Sequence, residues 1–423
     1  MRTITIIGAG QAGLQLGLGL LRHGYHVTLV SDRTPEQILH GGATGTAALF
    51  GNALEMEYSL GCNDWPEAPF INGIIFELYP PDEQSFCIKA PLTKPMQAVD
   101  QRLKHAHWLQ GFSEQGGRVL VQPATMNDLE TYAATSDLVI VAAGAQQFPD
   151  LFARDETRCE FTQPQRQVAL VNVVGMVPWG DPDFTPVKAS ILPGIGEVFY
   201  IPFYAKSACP AGSLVIEAVP GSALDYFCDA RSGAEMLDRF KAVIHDVAPW
   251  DYDHIEDATL TDDFAWLRGA ITPTVRQPIG QLPSGAVIMG IGDVVILNDP
   301  IMAQGANNAT KYAHFLTKRV VDRREQPFDR AWMQDVFAAF WDYSRYANAL
   351  SNLMLRPLAP HLQRILHAAS HHPEVAADLF AGFNDPPSLF PWFADPDEAE
   401  QYLALKGIEA LDVTDGTQSL ASG

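Results

Sequence analysis

The chain opens on a β-branched run, Thr3-Ile4-Thr5-Ile6-Ile7, which stops at Gly8-Ala9-Gly10-Gln11-Ala12-Gly13 and gives way to an apolar stretch from Leu14 to about His23. Gly24 supplies a helix stop, and Tyr25 to Val30 reads as a second strand. A fully apolar run, Asp137 to Gly144, has the texture of an interior strand of a parallel sheet. Between about 166 and 220 the texture changes. Gln167 to Val177, Lys188 to Tyr204 and Ser213 to Val219 are strand-like runs broken by Pro and Gly, with no long helical pattern between them. This region is expected to form a mainly antiparallel sheet. Residues 233–247 have a helical pattern, and Val287 to Asp293 returns to a buried strand closed by Gly292-Asp293. A helix should then run to about Val321. From Asp329 to about His372 the pattern is again helical, broken by Pro357 and Pro360. Its stripe of Trp332, Val336, Phe340 and Tyr343 reads as core.

Strand, GxGxxG, helix, strand in one short unit is the fingerprint of a dinucleotide-binding turn. Gly8 permits the tight turn, Gly10 lets a pyrophosphate reach the backbone, and Gly13 lets helix and strand pack closely. The pyrophosphate belongs on the helix N-terminus, where unpaired N–H groups and the dipole favour negative charge. Asp32 follows the second strand at the spacing of a ribose-binding carboxylate. The bland alternative is a tight βα turn with no ligand, and the motif alone does not separate FAD from NAD. Gly144 ends its strand where ligands approach an open sheet, or else makes a plain strand-end turn. A second glycine-rich helix start lies at Asp299-Pro300-Ile301-Met302-Ala303-Gln304-Gly305-Ala306-Asn307, and Asp293 just before it is either a hydroxyl-binding carboxylate or a turn aspartate.

Composition narrows the function classes. With 47% hydrophobic and only 18% charged residues in 423, the chain has ample core and is not disordered. The formal net charge of −22 disfavours nucleic acid and anionic membrane surfaces as partners. Five scattered cysteines without a CxxC pair argue against a disulfide framework or a zinc cluster and point to a reducing, cytoplasmic setting. No apolar run reaches membrane-span length. His105 and His107 fall on different helix faces. His367 and His371 share one but lack the intervening Glu of a metalloprotease motif, so no metal is expected. Trp179, Trp250, Phe199, Tyr200 and Phe203 are candidates for an aromatic substrate pocket, with ordinary core as the favoured alternative.

Taken together, GAGQAG, Ala98-Val99-Asp100-Gln101-Arg102-Leu103, Gly292-Asp293 and the 299–307 segment resemble the flavoprotein monooxygenases, and more narrowly the styrene and indole monooxygenase family. Ser31-Asp32-Arg33 with Pro35, Asn63-Asp64-Trp65-Pro66, Gly116-Gly117, Gly196-Glu197 and Ile201-Pro202 extend the similarity over most of the chain. The resemblance implies an α/β fold: a Rossmann-type FAD-binding domain with an inserted β-sheet substrate domain and a helical C-terminal region. The corresponding boundaries are 1–165 and 286–325 for the FAD domain, 166–285 for the substrate domain, 326–411 for the helical region and 412–423 for a disordered tail.

It also implies FAD held by Gly8, Gly10, Gln11, Ala12 and Gly13 at the pyrophosphate and by Ser31, Asp32 and Arg33 at the adenosine end. Arg102 would lie near the flavin chain, Asp293 on the ribityl or phosphate side, and Pro300, Gln304, Gly305, Ala306 and Asn307 under the ring. Ala124 and Gly144 are further candidate contacts. The chemistry implied uses reduced FAD from a separate NADH-dependent flavin reductase. O2 adds at flavin C4a, and the hydroperoxide passes its outer oxygen to an apolar aromatic alkene or to indole. The oxidant is then the cofactor, in keeping with the lack of a conspicuous catalytic triad or carboxylate dyad in the sequence. Only one complete GxGxxG is present, as a two-component enzyme would have, although some single-component hydroxylases share that trait. Two alternatives stand beside this reading: a single-component NAD(P)H-dependent hydroxylase, and a non-catalytic dinucleotide-fold binding protein. A homodimer is left open.

One departure is local. In Gly41-Gly42-Ala43-Thr44-Gly45-Thr46-Ala47, Gly42 and Gly45 stand where the family pattern has an Arg and often an Asn. Thr46 and Gly45 are therefore the pocket candidates, and the loop is expected to be unusually mobile.

Overall fold

The computed structural model describes residues 2–408, apart from 47, 82–83, 145–146 and 149. The tail assigned to 412–423 lies outside the described residues.

Two large sheets organise the chain. The first has six strands in the order Ile279–Gln281, Val287–Gly290, Leu138–Val141, Thr3–Ile7, His26–Ser31, Arg118–Val121. All pair in parallel except the Ile279–Gln281 edge, which closes a hairpin on Val287–Gly290. The central strand Thr3–Ile7 and its neighbour Leu138–Val141 are almost wholly buried, as strands covered on both faces are. The first helix, Gln11–Arg22, is buried from Gln11 to Leu20. It can lie so deep because Gly17 and Gly19 offer no side chain: a Cβ there would come within 3.0 Å of Phe112 and 2.8 Å of Thr317. Thr317 belongs to the long helix Gln304–Arg323, which packs along the first.

The second sheet has nine strands. Its central order is Gln167–Val174, Pro210–Ala218, Gly196–Tyr204, Pro186–Leu192, Ile71–Leu78, Phe86–Ala98. Pairing is antiparallel throughout this series except between Ile71–Leu78 and Pro186–Leu192, which run parallel. The expected strand run 188–204 thus divides at the Pro193–Ile195 turn. Residues 71–98, placed by sequence reading in the N-terminal segment, hydrogen-bond into this second sheet instead. The link is strand Ile71–Leu78, whose partner Pro186–Leu192 lies more than a hundred residues on, a distance that local periodicity does not register.

Strand alternation assigns the two faces. Ala169, Val171, Val198, Tyr200, Leu214 and Ile216 pack under the amphipathic helix Gly233–Val247. Fully buried Lys188 also lies on this side, bonded to Ser190 Oγ and Asp251 at 2.5 Å. Val168, Leu170, Val187, Phe199, Ile201 and Val215 turn the other way, into a cleft between the two sheets. Helices Pro360–His371 and Pro373–Asn384 cover the far strands, where Phe380 and Phe383 meet Phe76. Helix Arg330–Met354 carries the expected stripe inward, with Trp332, Val336 and Phe340 buried and Phe340 stacked on Tyr312 at 4.1 Å. Among the described residues no helix is long and apolar enough to cross a membrane.

Candidate functional site

One continuous cleft of about 580 Å³ runs from the first glycine turn to the second sheet. Two helix starts face it. Helix Gln11–Arg22 begins after Gly10 with no side-chain cap and no acidic residue in its first turn. Helix Gln304–Arg323 begins after Ala303, which holds the left-handed conformation at φ 53°, also without a cap. Uncapped helix starts leave N–H groups free for an anion.

The glycines divide the labour. Gly8 has φ 114°, and a Cβ there would meet the Ala142 backbone at 2.6 Å. At Gly13 a Cβ would come within 2.0 Å of the Gly8 carbonyl oxygen. At Gly10 nothing lies within 4 Å, because the missing side chain opens onto the cleft. Gly8 and Gly13 are therefore demanded by the fold, whereas the space at Gly10 is left for a ligand. That space suits a pyrophosphate lying close to the backbone.

Of the residues singled out in the sequence, Gly8, Gly10, Gln11, Ala12, Ser31, Asp32, Arg33, Gly45, Thr46, Gly144, Asp293, Pro300, Gly305 and Ala306 line this cleft. Asp32 and Arg33 lie exposed at its rim, 3.5 Å apart. The Ser31 hydroxyl is turned to the Arg33 carbonyl at 2.6 Å. Asp293 is exposed to the open cleft, and loss of solvent to the surrounding cleft walls raises its carboxyl to about 6. His105, also on the wall, is held neutral by burial and by the nearby Lys104 and Arg33 charges, its pKa lowered to about 3.

Gln304 and Asn307 work behind the wall. Gln304 donates to the carbonyls of Met302 and Phe383, each at 3.0 Å. Asn307 accepts from Phe50 N–H at 2.8 Å and donates to Ala48 and Ala303 at 2.9 and 2.7 Å. These two side chains tie the second helix start to neighbouring segments. Gly13 lies beneath the turn.

Arg102 is away from the cleft wall. Its guanidinium is paired with Asp100 at 2.7 Å and Asp262 at 3.0 Å, and it donates to the Gly41 carbonyl at 3.2 Å. These two carboxylates, with Lys206 also on Asp262 at 3.0 Å, leave the group no net positive charge for a phosphate. Ala124 likewise packs between strand Arg118–Val121 and helix Met126–Thr135, off the cleft.

The 41–46 loop is hydrogen-bonded to three other segments. Arg102 holds Gly41, Ala43 N–H donates to Phe264 at 2.9 Å, and Thr44 Oγ1 donates to Gln101 at 2.7 Å. Thr46 Oγ lies 2.9 Å from Ser213 Oγ, linking this loop to the second sheet. Glycines here lower the side-chain bulk, while backbone and side-chain bonds from three other segments hold the chain.

The aromatic set separates by strand parity. Phe199 lines the cleft, whereas Tyr200 faces the opposite side with Trp179, which stacks on His254 at 3.9 Å. Trp250 stacks on Tyr79 at 3.8 Å, and Phe203 is buried core. Phe76, Ile74 and Phe383 complete the apolar wall. Nothing in local sequence marked those three, because strands and helices distant along the chain bring them together.

Sequence reading also missed a buried polar group. Glu217 lines the cleft with 2% of its surface exposed, and Asp299 beside it is fully buried. Burial raises both carboxyls, that of Asp299 to about 6, and the Asp299 charge raises Glu217 further. Close by, Arg166 and Glu197 form a buried ion pair at 2.8 Å. Among the described residues no cluster of three His, Cys, Asp or Glu side chains is arranged to hold a metal.

Comparison with known proteins agrees with this geometry. Residues 144–254 match the family described as the styrene monooxygenase A putative substrate binding domain. This segment carries the four central strands of the second sheet. The chain is 26% identical to styrene monooxygenase StyA of Pseudomonas fluorescens over 415 residues, covering 95% of this chain and 97% of that protein. Among solved structures, a triple mutant of the flavin-dependent brominase Bmp2 superposes with a TM-score of 0.66 at 17% identity, covering 96% and 99% of the two chains. A mutant of the halogenase PltM, solved in complex with FAD, gives 0.64 at 14% identity, covering 96% and 93%. At these identities the two structures establish a shared fold. The matched domain and the near-full-length relative make the chain similar to the styrene monooxygenases and support a flavoprotein monooxygenase.

Proposed function

We propose that the chain is the FAD-dependent oxygenase of a two-component system. It receives reduced FAD from a separate NADH-dependent flavin reductase and uses O2 to epoxidise or hydroxylate a small apolar aromatic, an alkene or indole. The observation that carries this reading is the continuity of one cleft. It joins a helix start left open at Gly10 to an apolar floor at Leu170, Val215, Phe199 and Ile201.

In this reading the open backbone at Gly10 and the first helix start bind the pyrophosphate, and Asp32 accepts from the adenosine ribose. Asp293 accepts from a ribityl hydroxyl, and Pro300, Gly305 and Ala306 lie along the flavin ring. Bound FAD, reduced and exposed to O2, supplies the transferable oxygen. The chain's own work is positioning and drying. Gln304 and Asn307 fix the second helix start, and the apolar floor keeps water from the reacting edge. His105, kept neutral, adds no positive charge to the wall. The single complete GxGxxG supports a separate reductase as the consumer of NADH.

The test is product formation from styrene and from indole under air. Purified chain with FAD, NADH and an unrelated flavin reductase should give styrene oxide or indigo. Chain with FAD and NADH but no reductase should give neither and leave NADH unconsumed. NADH oxidation without reductase would favour a single-component hydroxylase. Failure to take up oxidised or reduced FAD would remove the flavin reading altogether.

A further inference from the structure

Glu217 is the one carboxylate in the floor of the apolar end of the cleft. It lies on strand Pro210–Ala218, on the same face as Val215 and Ser213. Its Oε2 has no hydrogen-bond donor, and neither does Oδ2 of Asp299; the other oxygen of Asp299 accepts from Ile301 N–H at 3.1 Å. The nearest cation does not relieve them. Arg166 gives Nε and Nη2 to Glu197 at 2.8 and 3.0 Å, and Nη1 to the carbonyls of Gln165 and Leu355 at 3.1 and 3.4 Å. Two adjoining carboxyls this deeply buried do not both ionise, so the pair holds one proton between them. The proton is committed within the pair, and the oxygens that remain are acceptors carrying a net negative charge.

The surroundings make that acceptor conspicuous. Leu170, Val215, Phe199 and Ile201 supply an apolar floor across neighbouring strands. Along the strand, Ser213 lies four residues from Glu217, about 13 Å away at the rise of an extended chain. Ser213 is bonded to the cleft-lining Thr46 and opposes Asn172, whose buried amide has no partner. At the Glu217 end, Asn298 also lines the cleft, with a buried Nδ2 lacking any acceptor. The slot is thus apolar along its middle and polar at both ends, and only Glu217 brings a negative acceptor to it.

We infer that Glu217, backed by Asp299, is a specificity-determining hydrogen-bond acceptor. It selects planar aromatic substrates that carry one N–H or O–H donor at an end over hydrocarbons of the same shape. This rests on the reading of the apolar end as the substrate site. A hydrocarbon pressed against Glu217 would leave the carboxyl pair desolvated with nothing donating to it. A ligand N–H satisfies it, and a hydrogen bond to a charged acceptor is worth about tenfold or more in binding.

Indole and indene have nearly the same shape and differ in the N–H. Equilibrium dialysis of each against the full chain, with and without oxidised FAD and in the absence of reductase, measures both affinities without turnover. Wild-type chain should bind indole at least about tenfold more tightly than indene. In Glu217→Leu the preference should disappear or reverse, indole binding weakening and indene binding tightening. A wild-type ratio near one, or a preference surviving in Glu217→Leu, overturns the inference. Should Glu217→Leu fail to fold, the isosteric Glu217→Gln, which exchanges the charged acceptor for a neutral amide, takes its place. A ratio there unchanged from wild type overturns the inference equally. FAD uptake, followed separately by quenching of flavin fluorescence, distinguishes the two failures. Wild-type chain that binds indole selectively but takes up no FAD leaves this inference standing and removes the flavin reading.

Discussion

At Asp293 the surroundings set the chemistry more than the residue type does. The protein walls of the cleft around its solvent-accessible side chain raise its carboxyl to about 6, so the folded chain holds that proton more tightly than an unfolded chain does, where an aspartate titrates near ~3.9. The stability of flavin-free chain should therefore decline as pH rises from ~3.9 to about 6 and remain lower above it. Asp293→Asn removes the titration. Its Tm should exceed that of wild type most above pH 6, and the difference should be roughly half as large at pH 5. A difference independent of pH would show that the carboxyl titrates normally. Sequence alone left Asp293 evenly divided between a ligand contact and a turn residue. The neighbouring Gly292-Asp293 pattern places the residue at a strand end but says nothing of the walls around it. Glu217 was less legible still. In the strand Pro210–Ala218 it reads as one of two polar positions, with Ser213, among apolar ones, and its place beside Asp299, eighty-two residues on, is not recorded there.

At the scale of elements, the strand–turn–helix unit of residues 3–31 was almost fully readable, because each glycine answers to a contact made nearby in sequence or to the adjacent strand. The same unit separates fold from binding. Gly13→Ala would drive a methyl to 2.0 Å from the Gly8 carbonyl and should lower Tm by several degrees, loosening the turn. Gly10→Ala meets nothing within 4 Å, so Tm should stay within about 2 °C of wild type while FAD affinity falls at least tenfold. Thermal melts paired with flavin-quenching titrations check both. Equal FAD affinity in Gly10→Ala would place the pyrophosphate elsewhere. The 41–46 loop is the contrasting case. Its glycines suggested mobility, but the Gln101-Arg102 pair, Phe264 and Ser213 bond to it from three segments, and none of those partners is local.

Across the whole molecule, Arg102 links elements that the sequence keeps far apart. It joins helix Gln101–Glu114 through Asp100 to the 41–46 loop and to Asp262, beside the second sheet. Removing one member of a buried charge group leaves its partners uncompensated, at a cost of about 3–5 kcal/mol. Arg102→Ala should accordingly unfold at markedly lower denaturant concentration. Its residual FAD affinity, measured on the folded fraction, should keep the salt dependence of wild type, since no phosphate contact is lost. A weaker salt dependence with unchanged stability would move Arg102 to the cofactor. By itself the sequence determined the glycine-rich turn, the helix starts, the acidic charge balance and the core stripe of the C-terminal helix. Those follow from periodicity, glycine geometry and charge, which are properties of short segments. Tertiary structure decided the rest: that residues 71–98 join the second sheet, that Arg102 clamps rather than lines, and that Glu217 faces an apolar floor. Burial and pairing of charges depend on neighbours brought from distant parts of the chain, and no local pattern records them.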